Sequence, residues 1–518
     1  MKTALRRFAL ALLLAGAAQA AAAEDEGAGA LRIERVRIVD GTGAPAREGA
    51  VRIAGGRIVA VGALAPEPGD TVVDGGGRVL APGFIDSHSH HDAGMFEARD
   101  LVAVTSQGVT TLVVGQDGFS QTPLAELFAK VQAAPLAVNL ASYSGHNTLR
   151  ARAMGEDARR AATAEEIARM SALLEDDLRA GALGLSTGLM YEPSAFSTTE
   201  EVVALAQVSA RHGGLYISHL RDEGFELLPA IDEAIEIGRR SGAPVQISHL
   251  KIAVRKHWGR AGEVLAKLER AREAGVDITA DVYPYTFWQS TMRVMFLNKH
   301  DEDREGLAFN FAESTRPEDL RFTIFRPDPS VVGKTIAQVA AERGQDPVEA
   351  YIALARTLAA YERAHAGDAD RPRAEAVIGT SMDEADVEAF LRWPHTNVGS
   401  DGFPTGHPRG HGSFTRVLGR YVRERGALTL EQAVHAMTGR AAAHLGFADR
   451  GVIAPGARAD LVLFDPETVA DRATVEDPTA LSVGVERVWV GGEEVFADGR
   501  AQGRYPGEVV RRAGTAGE

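Results

Sequence analysis

The sequence predicts an α/β protein, a (β/α)8 TIM barrel with a small β-sandwich domain built from both chain ends. Three observations predict it. Strand-like and helical segments alternate through the middle of the chain. The polar residues that close successive strands, His219, His249 and Asp281, follow at intervals of 30 and 32 positions. That spacing is one strand–crossover–helix unit. Short strand sets stand at opposite ends of the chain, each too small to bury a face alone. Units of this size repeated over roughly 350 residues favour a closed barrel over an open doubly wound sheet. No GxGxxG follows a first strand to argue otherwise.

In chain order, residues 1–23 read as a cleaved export signal. Lys2, Arg6 and Arg7 precede the apolar Phe8–Ala17 run, and Ala18-Gln19-Ala20 and Ala21-Ala22-Ala23 supply small-residue cleavage patterns before Glu24-Asp25-Glu26. The apolar run is too short for a permanent membrane span, so the expectation is a periplasmic or secreted protein without a membrane anchor. Residues 31–80 alternate apolar and polar around Ile33–Val39 and Val51–Val61, broken by Asp40-Gly41-Thr42-Gly43 and Gly55-Gly56. The barrel domain is assigned to 81–451. Within it, Thr163-x-x-Glu166 is a capping box ahead of Ile167, Met170, Leu173, Leu174 and Leu178 at helical spacing, and Gly181 ends that helix. Leu183–Ser186, Leu215–His219, Val245–His249 and Ile278–Asp281 read as strands. Helices opening at Thr198-x-x-Glu201 and running through Ile231–Arg240 separate them. A stretch from about 288 to 372 breaks the rhythm and reads as an insertion. Strand texture returns over 452–505, in Ala459–Phe464 and Val485–Phe496, where Gly491-Gly492 supplies a hairpin turn. Packing the two end segments together gives each a buried face.

Composition narrows the function classes. The 518 residues are 45% hydrophobic and 25% charged, enough for a large core and against intrinsic disorder. The net charge of −15 moves to −18 once Lys2, Arg6 and Arg7 are removed, and no basic cluster exists to hold a phosphate backbone. Nucleic acid is therefore not an expected partner. The absence of cysteine excludes disulfides, thiolate metal sites, iron–sulfur clusters and a cysteine nucleophile.

The chemistry concentrates in Gly83-Phe84-Ile85-Asp86-Ser87-His88-Ser89-His90. On a strand, His88 and His90 share a face, and paired imidazoles at a strand's C-terminal end suit a borderline-soft divalent cation such as zinc. Ser218-His219 and Ser248-His249 end two later strands. Four histidines then converge on one barrel mouth.

Further segments extend the pattern: Gly145-His146-Asn147-Thr148-Leu149-Arg150, Gly184-Leu185-Ser186-Thr187-Gly188-Leu189-Met190-Tyr191, His219-Leu220-Arg221-Asp222-Glu223 and Gln246-Ile247-Ser248-His249-Leu250-Lys251. Tyr283-Pro284-Tyr285, Gly399-Ser400-Asp401-Gly402, His407-Pro408-Arg409 and Gly412-Ser413-Phe414-Thr415-Arg416-Val417-Leu418 complete it. With these motifs the chain resembles the amidohydrolase superfamily, and within it the N-acyl-D-amino-acid deacylase (D-aminoacylase) group, over nearly its whole length after the signal.

The resemblance implies one or two zinc ions at the barrel's C-terminal face, with His88, His90, His219 and His249 matching the family's metal-binding histidines. Asp401 matches the acid that takes a proton from metal-activated water and returns it to the leaving nitrogen. One position departs from the family. Where these deacylases carry a metal-binding cysteine, this chain reads Gly115-Gln116-Asp117-Gly118-Phe119-Ser120, with Asp117 in the cysteine's place. A carboxylate is a harder ligand than thiolate but also binds or bridges zinc; a turn residue before Gly118 is the other reading. Arg409 matches the family's arginine for the free carboxylate of the substrate, a two-toothed grip. Lys251 and Tyr283 match positions that orient that carboxylate or the scissile carbonyl. Tyr191 and His146 are assigned to the mouth, and His91, Asp92 and Asp281 to the shell behind the ligands. The implied activity is zinc-dependent removal of the acyl group from N-acyl-D-amino acids, a small-molecule substrate class. The alternatives are a cyclic amidase of dihydroorotase or hydantoinase type, a small-peptide peptidase on the same fold, and a barrel scaffold without catalysis.

Overall fold

The structure, a computed structural model, describes residues 29–296, 303–365 and 373–513. The expected export signal lies outside these residues. The chain opens with β1 (Leu31–Ile38), β2 (Arg47–Ala54), β3 (Arg57–Gly62), β4 (Thr71–Asp74) and β5 (Val79–Pro82). Gly55 and Gly56, at φ 55° and 71°, turn β2 into β3, a conformation glycine adopts without a Cβ penalty. β1 pairs antiparallel with β2; its other edge pairs parallel with β4 over Leu31–Glu34 and with β5 over Arg37–Ile38. The sheet therefore forks at β1.

Next come β6 (Phe84–Asp86), β7 (Val109–Val114), β8 (Asn139–Ser142), β9 (Ser144–Gly145), β10 (Gly184–Gly188), β11 (Leu215–His219), β12 (Val245–Ile247) and β13 (Ile278–Val282). Three strands of an insertion follow, β14 (Phe287–Ser290), β15 (Leu320–Phe325) and β16 (Glu375–Thr380), before β17 (Thr396–Val398). β8 pairs with β7 and β9 with β10, so the two act as one interrupted stave. The staves β6, β7, β8/β9, β10, β11, β12, β13 and β17 are all parallel. Closure comes beyond the last formal pairing: Asp401 N donates to His88 O at 2.8 Å, His90 N to Gly402 O at 3.0 Å, and Ser89 bridges Gly402. A strand buried on both faces reads as unbroken β-branched and apolar residues, and Val109–Val114 is buried at every position.

The helices outside the barrel keep their signals. Thr163 and Glu166 cap the Ala164–Ala180 helix reciprocally, and Gly181 at φ 111° ends it. Thr198 caps the next helix at Glu201 N, but the Glu201 carboxylate turns away to His146 and Arg150. The insertion folds as its own antiparallel sheet, β14-β16-β15, with a separate core that includes Leu307, Phe322, Tyr351 and Leu354.

The chain finally returns to its start. β18 (Leu461–Phe464), β19 (Val485–Val490), β20 (Glu493–Ala497) and β21 (Arg500–Ala501) extend the first sheet through β5, giving the order β21-β20-β19-β18-β5-β1-β2-β3 with β4 on β1. Alternation along these strands serves two cores. Ile38, Val51, Ile53, Leu80, Leu461, Leu463 and Trp489 pack together inside the small domain. Val79, Val462, Phe464 and Val488 face the other way, into the barrel core. The last residues then cross to the barrel: Leu140 N donates to Glu508 O and Val510 N to Leu140 O, at 2.9 and 2.8 Å. Arg450 binds Asp460 and Glu508 at 3.0 and 2.8 Å beside this seam. No helix among the described residues is long and apolar enough to cross a membrane.

Candidate metal centre

His88 and His90 do not sit on a strand. β6 stops at Asp86, whose carboxylate accepts bonds from Ser400 N (2.8 Å) and Ser400 Oγ (2.6 Å). These bonds hold the loops after β6 and β17 together, and burial pushes the Asp86 carboxyl up to about 6. The loop, rather than strand alternation, aims both rings inward with centroids 5.4 Å apart. His88 Nε2 lies 3.5 Å from Asp117 Oδ1 and 3.6 Å from Asp401 Oδ1. His90 Nε2 lies 3.3 Å from Asp117 Oδ2 and 3.2 Å from Asp401 Oδ1.

His219 closes β11, and His249 follows β12 by two residues. His219 Nδ1 and His249 Nε2 are 3.0 Å apart, and Asp117 Oδ1 lies 4.0 and 3.4 Å from the same two atoms. Asp117 thus belongs to two donor groups, one with His88, His90 and Asp401, the other with His219 and His249, each within 4.8 Å. Three of the site residues, Asp117, His249 and Asp401, are left-handed non-glycines at φ 53°, 35° and 48°. Such backbone is sparsely populated and persists where the surroundings impose it; here it swings side chains inward at the ends of three staves.

The donors fit a cation. Tetrahedral zinc with N and O ligands at 2.0–2.2 Å separates its donors by about 3.3–3.6 Å, and the four His–Asp distances of the first group are 3.2–3.6 Å. His88 Nε2, Asp117 Oδ1 and His219 Nε2 are buried without a hydrogen-bond partner, although buried polar atoms are ordinarily paired. Burial works against ionising Asp117 and Asp401, but His88 and His249 hold Asp117 well below the usual carboxylate range, and Arg409 with His249 does the same for Asp401. Burial lowers His219 to about 4, keeping it neutral. For His249, burial and Lys251 oppose protonation, yet Glu223, Asp401 and Asp117 carry it up to about 9.

A second layer orients the rings. Asp281 stands 3.4 Å from His88 Nδ1 and accepts from Gln246 Nε2 (2.6 Å) and His249 N (2.7 Å). Glu223 Oε1 stands 2.8 Å from His249 Nδ1 and accepts from Lys251 Nζ at 2.6 Å. Carboxylates behind metal-facing imidazoles fix their tautomer and direction. Sequence reasoning assigned Glu223 no role; the signal was an acid four residues past the strand-ending His219, in a loop without periodicity.

The remaining candidates separate. Lys251 places Nζ 2.8 Å from His249 Nδ1, beside the Glu223 carboxylate that also faces that ring. Arg409, 1% exposed, places Nη1 2.7 Å from Asp401 Oδ2 and its guanidinium 4.7 Å over the Tyr283 ring. Tyr191 packs 4.5 Å from His219 and bonds Ser290 Oγ at 3.2 Å. His146 does not line the mouth: it is buried, with Nε2 on Glu201 (2.8 Å) and Nδ1 on Ser194 Oγ (2.9 Å). His91 turns to Ser89 Oγ at 3.0 Å, away from the cluster.

Four imidazoles and two carboxylates converging where parallel staves end define a metal-site (β/α)8 barrel. Residues 71–496 match the amidohydrolase family, and the chain belongs to that family. It is 39% identical over 507 residues to N-acyl-D-glutamate deacylase of Alcaligenes xylosoxydans xylosoxydans, covering 93% of this chain and 96% of that protein. The D-aminoacylase of the same organism is 38% identical over 501 residues, covering 92% and 96%. The crystal structure of the Bordetella bronchiseptica N-acyl-D-glutamate deacylase, complexed with zinc and a phosphonate that mimics the tetrahedral intermediate, superposes with a TM-score of 0.83 at 39% identity, covering 93% of this chain and 100% of that one.

Proposed function

We propose that this protein is a zinc-dependent hydrolase that removes the acyl group from N-acyl-D-amino acids. One observation carries the reading: a cation-ready His–Asp cluster lies one ion pair away from a buried arginine, with Asp401 shared between them. A hydrolase of this class needs a Lewis acid at the carbonyl and a cation at the free carboxylate, and the two stand side by side. The names of the relatives support both the bond and the D configuration.

His88, His90, Asp117, His219 and His249 hold one or two zinc ions. Zinc, when bound, polarises the scissile carbonyl and acidifies water to a pKa near 7. Asp401 is kept as a carboxylate and is the proton acceptor; it carries that proton to the leaving nitrogen. Arg409 fixes Asp401 through Oδ2, leaving Oδ1 toward the imidazoles. An incoming α-carboxylate meets Arg409 and the Lys251 ammonium, with the Tyr283 ring as the wall between them. Tyr191 stands over His219 and bounds the opposite side. Residues 1–23 support export to the periplasm or medium before this chemistry is used.

The purified zinc-loaded protein, offered N-acetyl-D-amino acids, their L forms, cyclic imides, hydantoins and dipeptides, is expected to release acetate from the D substrates. Turnover confined to the rings or the dipeptides overturns the proposal. N-terminal sequencing of the protein from the periplasmic fraction tests export, a start at Met1 being the contrary result.

A further inference from the structure

We infer that Asn147 is a positioning residue for the metal centre: it holds Asp117 where the four imidazoles need it and ties that residue to the loop of Tyr191. The inference rests on Asp117 being a metal ligand, as the proposed function has it, and adds what keeps that ligand in place. The motif around Asn147, Gly145-His146-Asn147-Thr148-Leu149-Arg150, contributes no side chain to either donor group.

Asp117 needs such a hold. Its backbone is left-handed at φ 53°, which a non-glycine residue keeps only where its surroundings impose it. On one side Gln116 Nε2 donates to Ser87 O at 3.1 Å, and on the other Gly118 N donates to Ser186 Oγ at 2.8 Å. The Asp117 carbonyl between them takes Asn147 Nδ2 at 3.3 Å. Asn147 is 1% exposed, so this bond is made away from water. The loop leaves just enough room for it. A Cβ on Gly118 would stand 2.9 Å from Asn147 Nδ2, and one on Gly188, at the end of β10, 2.1 Å from Asp117 O.

The other end of the amide is anchored. Asn147 Oδ1 accepts from Ser194 N at 2.7 Å, and His146 Nδ1 accepts from Ser194 Oγ at 2.9 Å. Two consecutive residues thus grip both donors of Ser194. His146 is aimed in turn by Glu201, 2.8 Å from its Nε2, and Arg150 of the same helix binds that carboxylate. Ser194 lies three residues past Tyr191, whose ring packs 4.5 Å from His219. One side chain therefore spans from a residue shared by both donor groups to the segment that bounds the mouth. An apolar side chain of the same shape would leave a carbonyl and an N–H buried without partners. Thr148 offers an internal comparison. Its Oγ1 accepts from Ser120 N and donates to Ser120 O, both at 3.1 Å, so its side chain steadies the same loop without touching Asp117.

The test measures zinc affinity by chelator competition in the wild type, the near-isosteric Asn147→Leu and Thr148→Val. Asn147→Leu should weaken the weaker zinc site by about 10–100-fold, the range for a residue that orients a ligand, and Thr148→Val should change it by less than about 3-fold, well short of that range. An unchanged zinc affinity in Asn147→Leu, or an equal loss in Thr148→Val, overturns the inference while leaving the metal centre intact. Asn147→Ser, also uncharged, serves where Leu is not tolerated. Wild-type protein supplies a second readout: zinc should slow hydrogen exchange in the Tyr191–Ser197 segment, which holds the amide bonded to Asn147. Exchange there that ignores zinc overturns the inference even where no variant folds. If the wild type takes up no zinc, or Asp117→Ala takes up as much, the ligand reading itself falls and this inference with it.

Discussion

Asp117 is the residue on which the count of metal ions turns, and Asp117→Ala is the informative perturbation. Its oxygens reach four imidazoles, at 3.5 Å (His88), 3.3 Å (His90), 4.0 Å (His219) and 3.4 Å (His249). Removing it leaves three donors on one side, His88, His90 and Asp401, and only two imidazoles on the other. Losing a residue that merely supports a ligand costs about 10–100-fold in metal affinity. A ligand shared by two sites should exceed that, so the weaker site should lose more than about 100-fold, equivalent to about 2.7 kcal/mol. The assay is zinc content by elemental analysis after dialysis, with chelator competition to obtain each Kd. The expected result is a wild type that binds more zinc per chain than the variant, whose remaining ion sits on the three-donor side. Equal content, with affinities within about 10-fold, would make Asp117 a turn residue and refute the bridging argument.

Three further outcomes follow from the same geometry. Asp401→Asn should lower kcat by about 10²–10⁴-fold, the range of general acid–base contributions, in protein whose zinc content is measured alongside; undiminished turnover would remove the proton-carrying role. Replacing the substrate's free carboxylate by a carboxamide should reduce kcat/KM in the wild type by about 10–100-fold but add little in Arg409→Met, since a shared contact is lost only once; additive losses would assign the carboxylate to another residue. His88 and His249 stand above the usual imidazole range, His249 at about 9. His249 is therefore protonated at pH 7.5 without metal, and because ligation needs neutral imidazole, zinc uptake should release protons there and weaken as the pH falls. Calorimetric titration in buffers of differing ionisation enthalpy measures the release; a value of zero contradicts the assignment.

What was legible in the sequence were features set by short-range rules. The capping box at Thr163 and Glu166 and the Gly181 stop follow from local hydrogen bonding, and the spacing of His219, His249 and Asp281 reflects the size of one repeated unit. The ligand-bearing segments were legible as histidines after strands, but not how they turn. His88 and His90 project from a loop pinned by Asp86 to Ser400, a contact across 314 positions that no periodicity reports. The left-handed turn at His249, two residues past the end of β12, is likewise set by tertiary contacts that no local pattern reports. Glu223 carried only the faint signal of an acid four residues past His219, because it lies on no regular face; tertiary folding brings it behind the His249 ring. His146 sits in a matching motif yet spends both nitrogens on Glu201 and Ser194, so motif membership did not determine its task.

The seam between β5 and β18 has a consequence for biosynthesis. Pro82 opposes Leu461, so the strand made early waits for a partner made near the end. At about 5–20 residues per second a ribosome takes roughly 20–75 s to traverse that interval. Throughout it the β5 edge stands open, the kind of template other chains add to. Truncated products, whichever end they lose, forfeit the same sheet, and a nascent chain gains from any factor that shields this edge until translation finishes.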